Sequence, residues 1–213
     1  HFQFTPSGTL LDYCIIEYGG AGSNNTNVRI SSNPTIIHTI VRHSDGYGIY
    51  VAGGNPIIRN NTITDNTLEG VYGAVGTAAR LNWWGDASGP SGSGPGTGEN
   101  VNSNVLFEPW LAAPFSGPFE WIEAMNSPDP FTSSGGWTTF LGTLSDLGDW
   151  TIRLKDGADT VVKTLTGTGG SFSQDWPGDD TAGATLPNGA YTYQLDAVST
   201  VTGQSAVSAI GNI

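Results

Sequence analysis

Few residues of this sequence are of types and at spacings that could do chemistry. In the first half Asp45, Asp65 and Glu69 stand near Arg42 and Arg59, and carboxylates beside an arginine are what acid and base catalysis, or a calcium site, is built from. Asp45 and Glu69 flank corresponding turns and would approach each other across neighbouring strands about 4.8 Å apart. No lysine joins them, and turn carboxylates are ordinarily solvated. In the second half Asp175, Asp179 and Asp180 surround a tight loop and invite a calcium reading, although their spacing lacks the Asp/Asn-Gly pattern of an EF-hand. His38 and His43 lie five residues apart, on opposite faces of a straight strand, which makes a poor zinc pair. The remaining set is Tyr50 and Tyr72 with Arg29 and Tyr47. Aromatic faces pack on pyranose rings, so these four could form a glycan face; exposed tyrosines on adjacent strands also stack simply to hold a sheet together.

The elements that must position these residues are strands. Helical periodicity is missing throughout, while short β-branched and aromatic runs recur between Gly, Asn and Asp punctuation. The first half repeats itself: Asn33-Pro34 aligns with Asn55-Pro56, Ile40 with Ile63, His43 with Asn66, and Gly48-Ile49-Tyr50-Val51 with Gly70-Val71-Tyr72-Gly73, at offsets of 22 or 23. Upstream, Ile15 to Ile40 and Val28 to Ile49 give 25 and 21. A period this short, without leucine-repeat spacing, fits one coil of a β-helix. Alternation along each strand then places Val28, Ile49 and Val71 inside and Arg29, Tyr50 and Tyr72 in an outward column. Asn60, Asn61 and Asn66 fall at corners, where a short amide tolerates the bend and bonds its equivalent in the next coil.

The run Ile58-Arg59-Asn60-Asn61-Thr62-Ile63-Thr64-Asp65-Asn66 with Gly70-Val71 resembles the repeat of bacterial and archaeal right-handed parallel β-helix surface proteins. Ala79 to Pro90, with its Asn82-Trp83-Trp84-Gly85 centre, and Val105 to Leu111, ending Pro109-Trp110-Leu111, are similar to the segment with which such proteins close their last coil. An open β-helix end exposes strand edges and apolar core, and a Trp pair followed by a Gly/Pro loop can cover both. The resemblance also extends to polysaccharide lyases and glycoside hydrolases of this architecture, which implies that Asp45, Glu69 and Arg42 are the catalytic candidates here.

After Leu111 a short Pro-rich linker, 112–118, leads into a second region. Trp150, Ile152 and Leu154 alternate inward, Asp156-Gly157 marks a turn before Val161, and Tyr191, Tyr193, Leu195 and Ala197 alternate likewise. Trp176-Pro177-Gly178-Asp179-Asp180 and Leu186 to Tyr193 resemble the immunoglobulin-like domain named after the flagellar hook-capping protein, with Pro177 where that family often has Asp. The fold expected is all-β: the end of a right-handed parallel β-helix over 1–111 and a small immunoglobulin-like antiparallel β-sandwich over 119–213.

Composition narrows the partners. Net charge is −12 and Lys155 and Lys163 are the only lysines, so nucleic acid and anionic lipid surfaces would repel the chain. Cys14 is alone, which leaves no disulfide framework and suits a buried small hydrophobe. No apolar stretch approaches the roughly 18 residues of a membrane span. The chain is expected to be a piece of a longer or processed product whose export signal lies upstream. These features point to a secreted or cell-surface, non-catalytic structural or adhesion region of a large exported bacterial protein, with a polysaccharide or another surface protein as partner and no cofactor. The alternatives are the tail of a polysaccharide lyase or glycoside hydrolase, and a glycan-binding module.

Overall fold

The structure is a computed structural model that describes residues 2–4 (backbone), 8–22, 25–117, 119–131 and 135–213. It is built from strands, in two compact units, 1–115 and 116–213.

The first unit winds through three short strands per coil. The first coil is β1 (Phe2–Phe4), β2 (Leu10–Asp12) and β3 (Ile15–Glu17); the second is β4 (Thr26–Ile30), β5 (Thr35–Ile37) and β6 (Ile40–Arg42); the third is β7 (Tyr47–Val51), β8 (Ile57–Arg59) and β9 (Thr62–Thr64). Then come β10 (Val71–Gly73), β11 (Thr77–Ala78), β12 (Pro90–Gly92), β13 (Gly98–Val101), β14 (Val105–Leu106) and β15 (Trp110–Leu111). Equivalent strands stack in parallel: β1-β4-β7-β10-β13-β12 in one sheet, β2-β5-β8 and β3-β6-β9 in two others, with β11 on β14. Inward positions are completely buried: Val28, Ile49 and Val71 in the first sheet, Ile36 in the second, Val41 and Ile63 in the third. The core is thus a pile of aliphatic layers, each coil laid on the last.

Each turn between the second and third sheets is made by one residue at positive φ: Tyr13 (51°), His38 (49°), Asn60 (56°) and Leu81 (57°). The residue after it starts a buried polar ladder. Cys14 N–H donates to Thr39 Oγ1 at 3.4 Å, Thr39 N–H to Asn61 Oδ1 at 2.9 Å, and Asn61 N–H to Asn82 Oδ1 at 3.0 Å. Corner amides that would otherwise be orphaned are satisfied from the next coil. Cys14 is the half-buried first rung of this ladder, not the fully buried hydrophobe that its neighbours suggest.

One alignment is corrected. Ile40 pairs with Thr62, Val41 with Ile63 and Arg42 with Thr64, so this step is 22 residues and His43 corresponds to Asp65, not to Asn66. The doublets Ile40-Val41 and Thr62-Ile63 admit either register from sequence; a one-residue slip would have turned Val41 or Ile63 out of the core.

At the closing end Trp83 bridges to Thr62, which seats Trp84 on Ile63, and Trp84 is 0% exposed. Trp110 is also buried; its Nε1–H donates to Ala87 O at 3.0 Å, and its ring lies where a Cβ on Gly89 would clash.

The second unit is antiparallel: β16 (Trp121–Ser127), β17 (Thr138–Lys155), β18 (Val161–Trp176), β19 (Thr192–Ser199) and β20 (Ala209–Asn212). The long β17 changes partner along its length, pairing with β16 over Thr139–Leu144 and with β19 over Gly148–Lys155, while β18 follows it on the other edge. The register shift between Thr143 and Gly148 is where a single hairpin bends, which lets one sheet act as a small sandwich. Trp150, Ile152, Leu154, Tyr193, Leu195 and Ala197 face the core as the alternation requires. The Asp156 turn is tied by its own side chain, which accepts from Ala158 N and Thr160 N at 2.9 Å each. Gly167 leaves the space that the Trp150 ring fills.

Candidate functional site

Register builds the aromatic column directly. Arg29, Tyr50 and Tyr72 pair across β4, β7 and β10, so three outward side chains arrive one above another. The Tyr50 and Tyr72 rings stack with centroids 5.5 Å apart and planes 20° from parallel, and the Arg29 guanidinium carbon sits 4.7 Å over the other side of this pile, against Tyr50. Tyr47 adds a third ring, 4.9 Å from Tyr72 and 5.6 Å from Tyr50. Burial holds the Tyr47 phenol above its ordinary value, helped by the charge of Glu69 and by the neighbouring tyrosines, so it is neutral across the physiological range. The four predicted residues are therefore brought together. Yet Tyr50 has Arg29 on one side and Tyr72 on the other, so the cluster offers solvent its ring edges and hydroxyls more than the open faces on which a pyranose would lie.

The carboxylate candidates are gathered only in part: Asp65 lies near enough to Arg42 for its charge to act on the guanidinium, while Asp45 and Glu69 fall at different places along their coils. Arg42 Nε donates to Glu17 Oε2 at 2.7 Å in the preceding coil, and this hydrogen bond, with the Glu17 charge, raises the guanidinium pKa further. Asp45 N–H bonds Gly19 O at 2.9 Å and Thr67 N–H bonds Ser44 O at 3.0 Å, whereas Glu69 O accepts from Gly48 N at 3.0 Å. The register thus sets Asp45 beside Thr67, with Glu69 further along the coil. Asp65 is exposed at its corner and Arg59 is half-buried.

His38 and His43 are ladder residues. His38 Nδ1 lies 2.7 Å from Asp12 Oδ1, with its ring 4.8 Å from Tyr13 and 4.4 Å from Phe115; His43 stacks on Tyr18 at 5.2 Å. In the second unit the three aspartates have separate duties. Asp175 accepts from Thr139 Oγ1 at 2.7 Å, Asp179 pairs with Lys163 Nζ at 2.7 Å, and Asp180 Oδ1 accepts from Ala182 N and Ala184 N at 2.8 and 2.9 Å. Among the described residues no three His, Cys, Asp or Glu side chains converge in a way that could hold a metal ion.

Sequence reasoning missed Glu99. Ser44 N–H donates to Asn66 Oδ1 at 3.2 Å, and Asn66 N–H donates to Glu99 Oε2 at 3.0 Å, so Glu99 takes the last place in a second corner ladder. Burial pushes its carboxyl above the ordinary range, outweighing the Asn66 hydrogen bonds that favour the ionised form; the charge of Asp65 adds to the rise. Glu99 also lines, with Asp65 and Asp86, a shallow depression of about 320 Å³ beside Trp84. Asp86 is spent there on the Ser88 N–H and hydroxyl, which lower its pKa.

A crystal structure described as dimeric latent PorU from Porphyromonas gingivalis is similar over 51% of this chain at 14% identity and a TM-score of 0.37; the chain spans 10% of its length. A comparison with curated proteins finds no match. Residues 2–82 match the family model described as a right handed beta helix region, and the parallel stacking of β1 to β9 accords with it: the first unit carries a β-helix repeat.

Proposed function

We propose that this chain is a non-catalytic structural and adhesive part of an exported bacterial surface protein, a β-helical stalk end followed by an immunoglobulin-like spacer. One observation carries the reading. Several of the chemistry-bearing side chains of the coils are engaged by the coil above or below: Arg42 by Glu17, His38 by Asp12, Arg29 by Tyr50, Tyr50 by Tyr72, Asn61 by Asn82. Residues spent in this way stiffen a stack, and a stack whose corner amides bond from coil to coil suits a spacer that must keep its length. The immunoglobulin-like assignment rests on the Trp176 to Asp180 and Leu186 to Tyr193 patterns together with the antiparallel sheet that they border. The acidic, nearly lysine-free composition supports the surface reading.

The test is an assay for reducing and unsaturated sugars released from pectin, alginate and mixed plant glycans, with binding to the same polymers followed by affinity electrophoresis. No release is expected. Turnover that disappears in Asp45→Asn or Glu69→Gln would replace this reading with the enzyme-tail one. Retardation lost in Tyr72→Ala, with the fold intact, would replace it with the glycan module.

A further inference from the structure

The long strand β18 has a neighbour on one side only. Along its length it is hydrogen-bonded to β17, and among the described residues no other strand pairs with it. Its other side is closed near one end, where the Thr181 N–H and hydroxyl both donate to Val162 O, at 3.0 and 3.1 Å. That contact shows which way the edge faces: Val162 turns its backbone groups away from β17. Hydrogen-bonding side and side-chain face alternate together along a strand, so Thr164, Thr166 and Thr168, all exposed, present theirs the same way. At Gly169-Gly170, opposite the bend in β17, the alternation slips by one residue, and the exposed set becomes Ser171, Ser173 and Asp175.

Unpaired N–H and C=O groups in a row are a template for another strand, and a long edge is ordinarily blunted by lysine, proline or an inward charge. From Thr164 to Gln174 β18 carries no charged residue and no proline. Among the described residues, Thr168 is the one outward hydroxyl of this run that is spent within the chain, on Asp149 Oδ1 at 2.6 Å. The edge is therefore built to be paired rather than protected.

The slip decides what pairs with it. A regular strand would match the outward groups on one side of Gly169-Gly170 and fall out of step on the other. A second copy of this edge, run antiparallel about that point, carries the same slip at the same place. Thr164 then lies opposite Asp175, Thr166 opposite Ser173 and Thr168 opposite Ser171 of the second copy. Each outward backbone group meets another, and hydroxyls face hydroxyls or a carboxylate, which are favourable cross-strand pairs. No acid faces an acid, although the chain carries a net charge of −12.

We propose that two copies of this chain pair edge to edge through β18, antiparallel, about a twofold axis at Gly169-Gly170. The inference stands independently of the stalk reading, because it concerns the second unit alone.

The experiment is sedimentation equilibrium of the whole chain from about 10 μM to about 1 mM, with Thr166 and Ser173 as the probe pair. The wild type is expected to pass from monomer to dimer within that range, as befits the small interface of one strand pair. Thr166→Pro removes an N–H directed away from β17, so it spares the ladder within the chain; it should weaken dimerisation about tenfold or more with thermal unfolding unchanged. Thr166→Glu/Ser173→Glu sets acid against acid at both symmetric contacts and should abolish the dimer. Thr166→Lys/Ser173→Glu sets opposite charges there and should keep or tighten it. If Thr166→Pro unfolds the chain, the two double variants decide the matter. A chain that stays monomeric throughout, a dimer that survives unweakened in a folded Thr166→Pro, or double variants that behave alike would each overturn the proposal.

Discussion

Asn61 and Asn82, both fully buried, meet across one coil: the Asn61 side-chain amide and backbone N–H each donate to Asn82 Oδ1 at 3.0 Å. Asn61 in turn serves two groups of its own coil stack, accepting from Thr39 N at 2.9 Å and donating to Ile36 O at 2.8 Å. Replacing Asn61 by Ala therefore orphans a buried N–H and a buried carbonyl together. Each lost partner costs about 1 to 3 kcal/mol, so urea unfolding of the variant should show a loss of about 2 to 6 kcal/mol. Asn61→Asp keeps the acceptor but sets a carboxylate oxygen against Ile36 O and Asn82 Oδ1 in a fully buried site, and at neutral pH should destabilise at least as much as Asn61→Ala. Wild-type stability in Asn61→Ala would remove the ladder as a determinant of the fold.

The closing end gives a second prediction. Trp84 lies wholly inside on Ile63, whereas Trp83 is half-buried on the outer side of the bridge to Thr62. Trp84→Ala should cost about 3 to 5 kcal/mol, and Trp83→Ala distinctly less. Thermal unfolding of the two single variants checks both the magnitude and the order.

Much of this was readable from sequence because two periods reinforce each other. A spacing of 21 or 22 residues aligns Val28, Ile49 and Val71, and strand alternation then decides that Arg29, Tyr50 and Tyr72 point outward. Where one period weakens, the reading slips: Ile40 and Val41 are both apolar, so alternation could not choose between them, and the corner amides settle the register instead. Glu99 was hidden because residues 86–97 interrupt the repeat, leaving nothing in sequence to say that an acid would replace an asparagine beside Asn66. Asp175, Asp179 and Asp180 are near in sequence but have different partners, since one lies at the end of a strand and the other two in the turn beyond it.

The tyrosine column should behave as a stabilising pile. Tyr50→Ala removes a stacked ring and the platform under Arg29 at once, which at about 0.5 to 1.5 kcal/mol for an aromatic pair and about 0.5 to 1 for an exposed cation–π contact predicts a loss of about 1 to 2.5 kcal/mol. Arg29→Ala in the Tyr50→Ala background should then cost less than Arg29→Ala alone. A double-mutant cycle by chemical denaturation measures the coupling, and strict additivity would show that the two side chains merely share a face.

Glu99 supplies a pH dependence whose sign is fixed by the direction of its shift. Its folded-state pKa lies above the ordinary value of 4.5, because burial penalises the carboxylate more than the Asn66 N–H groups favour it. Below pH 4.5 the group is protonated in both the folded and the unfolded chain and imposes no charge penalty. As pH rises through that value the unfolded chain gives up its proton first, so the folded state loses stability until the pH passes the raised folded pKa, after which the penalty is constant. Glu99→Gln keeps an oxygen to accept from Asn66 and cannot ionise. The variant should match the wild type at about pH 3.5 and unfold at a higher temperature at pH 7, the gap opening from about pH 4.5 upward. Asp65→Asn removes a neighbouring charge that raises the Glu99 pKa, and in that background the gap at pH 7 should narrow. Calorimetric scans of the four proteins across that range decide the matter: a gap that is constant with pH, or that closes toward neutrality, would mean that Glu99 ends its ladder as an ordinary solvated carboxylate.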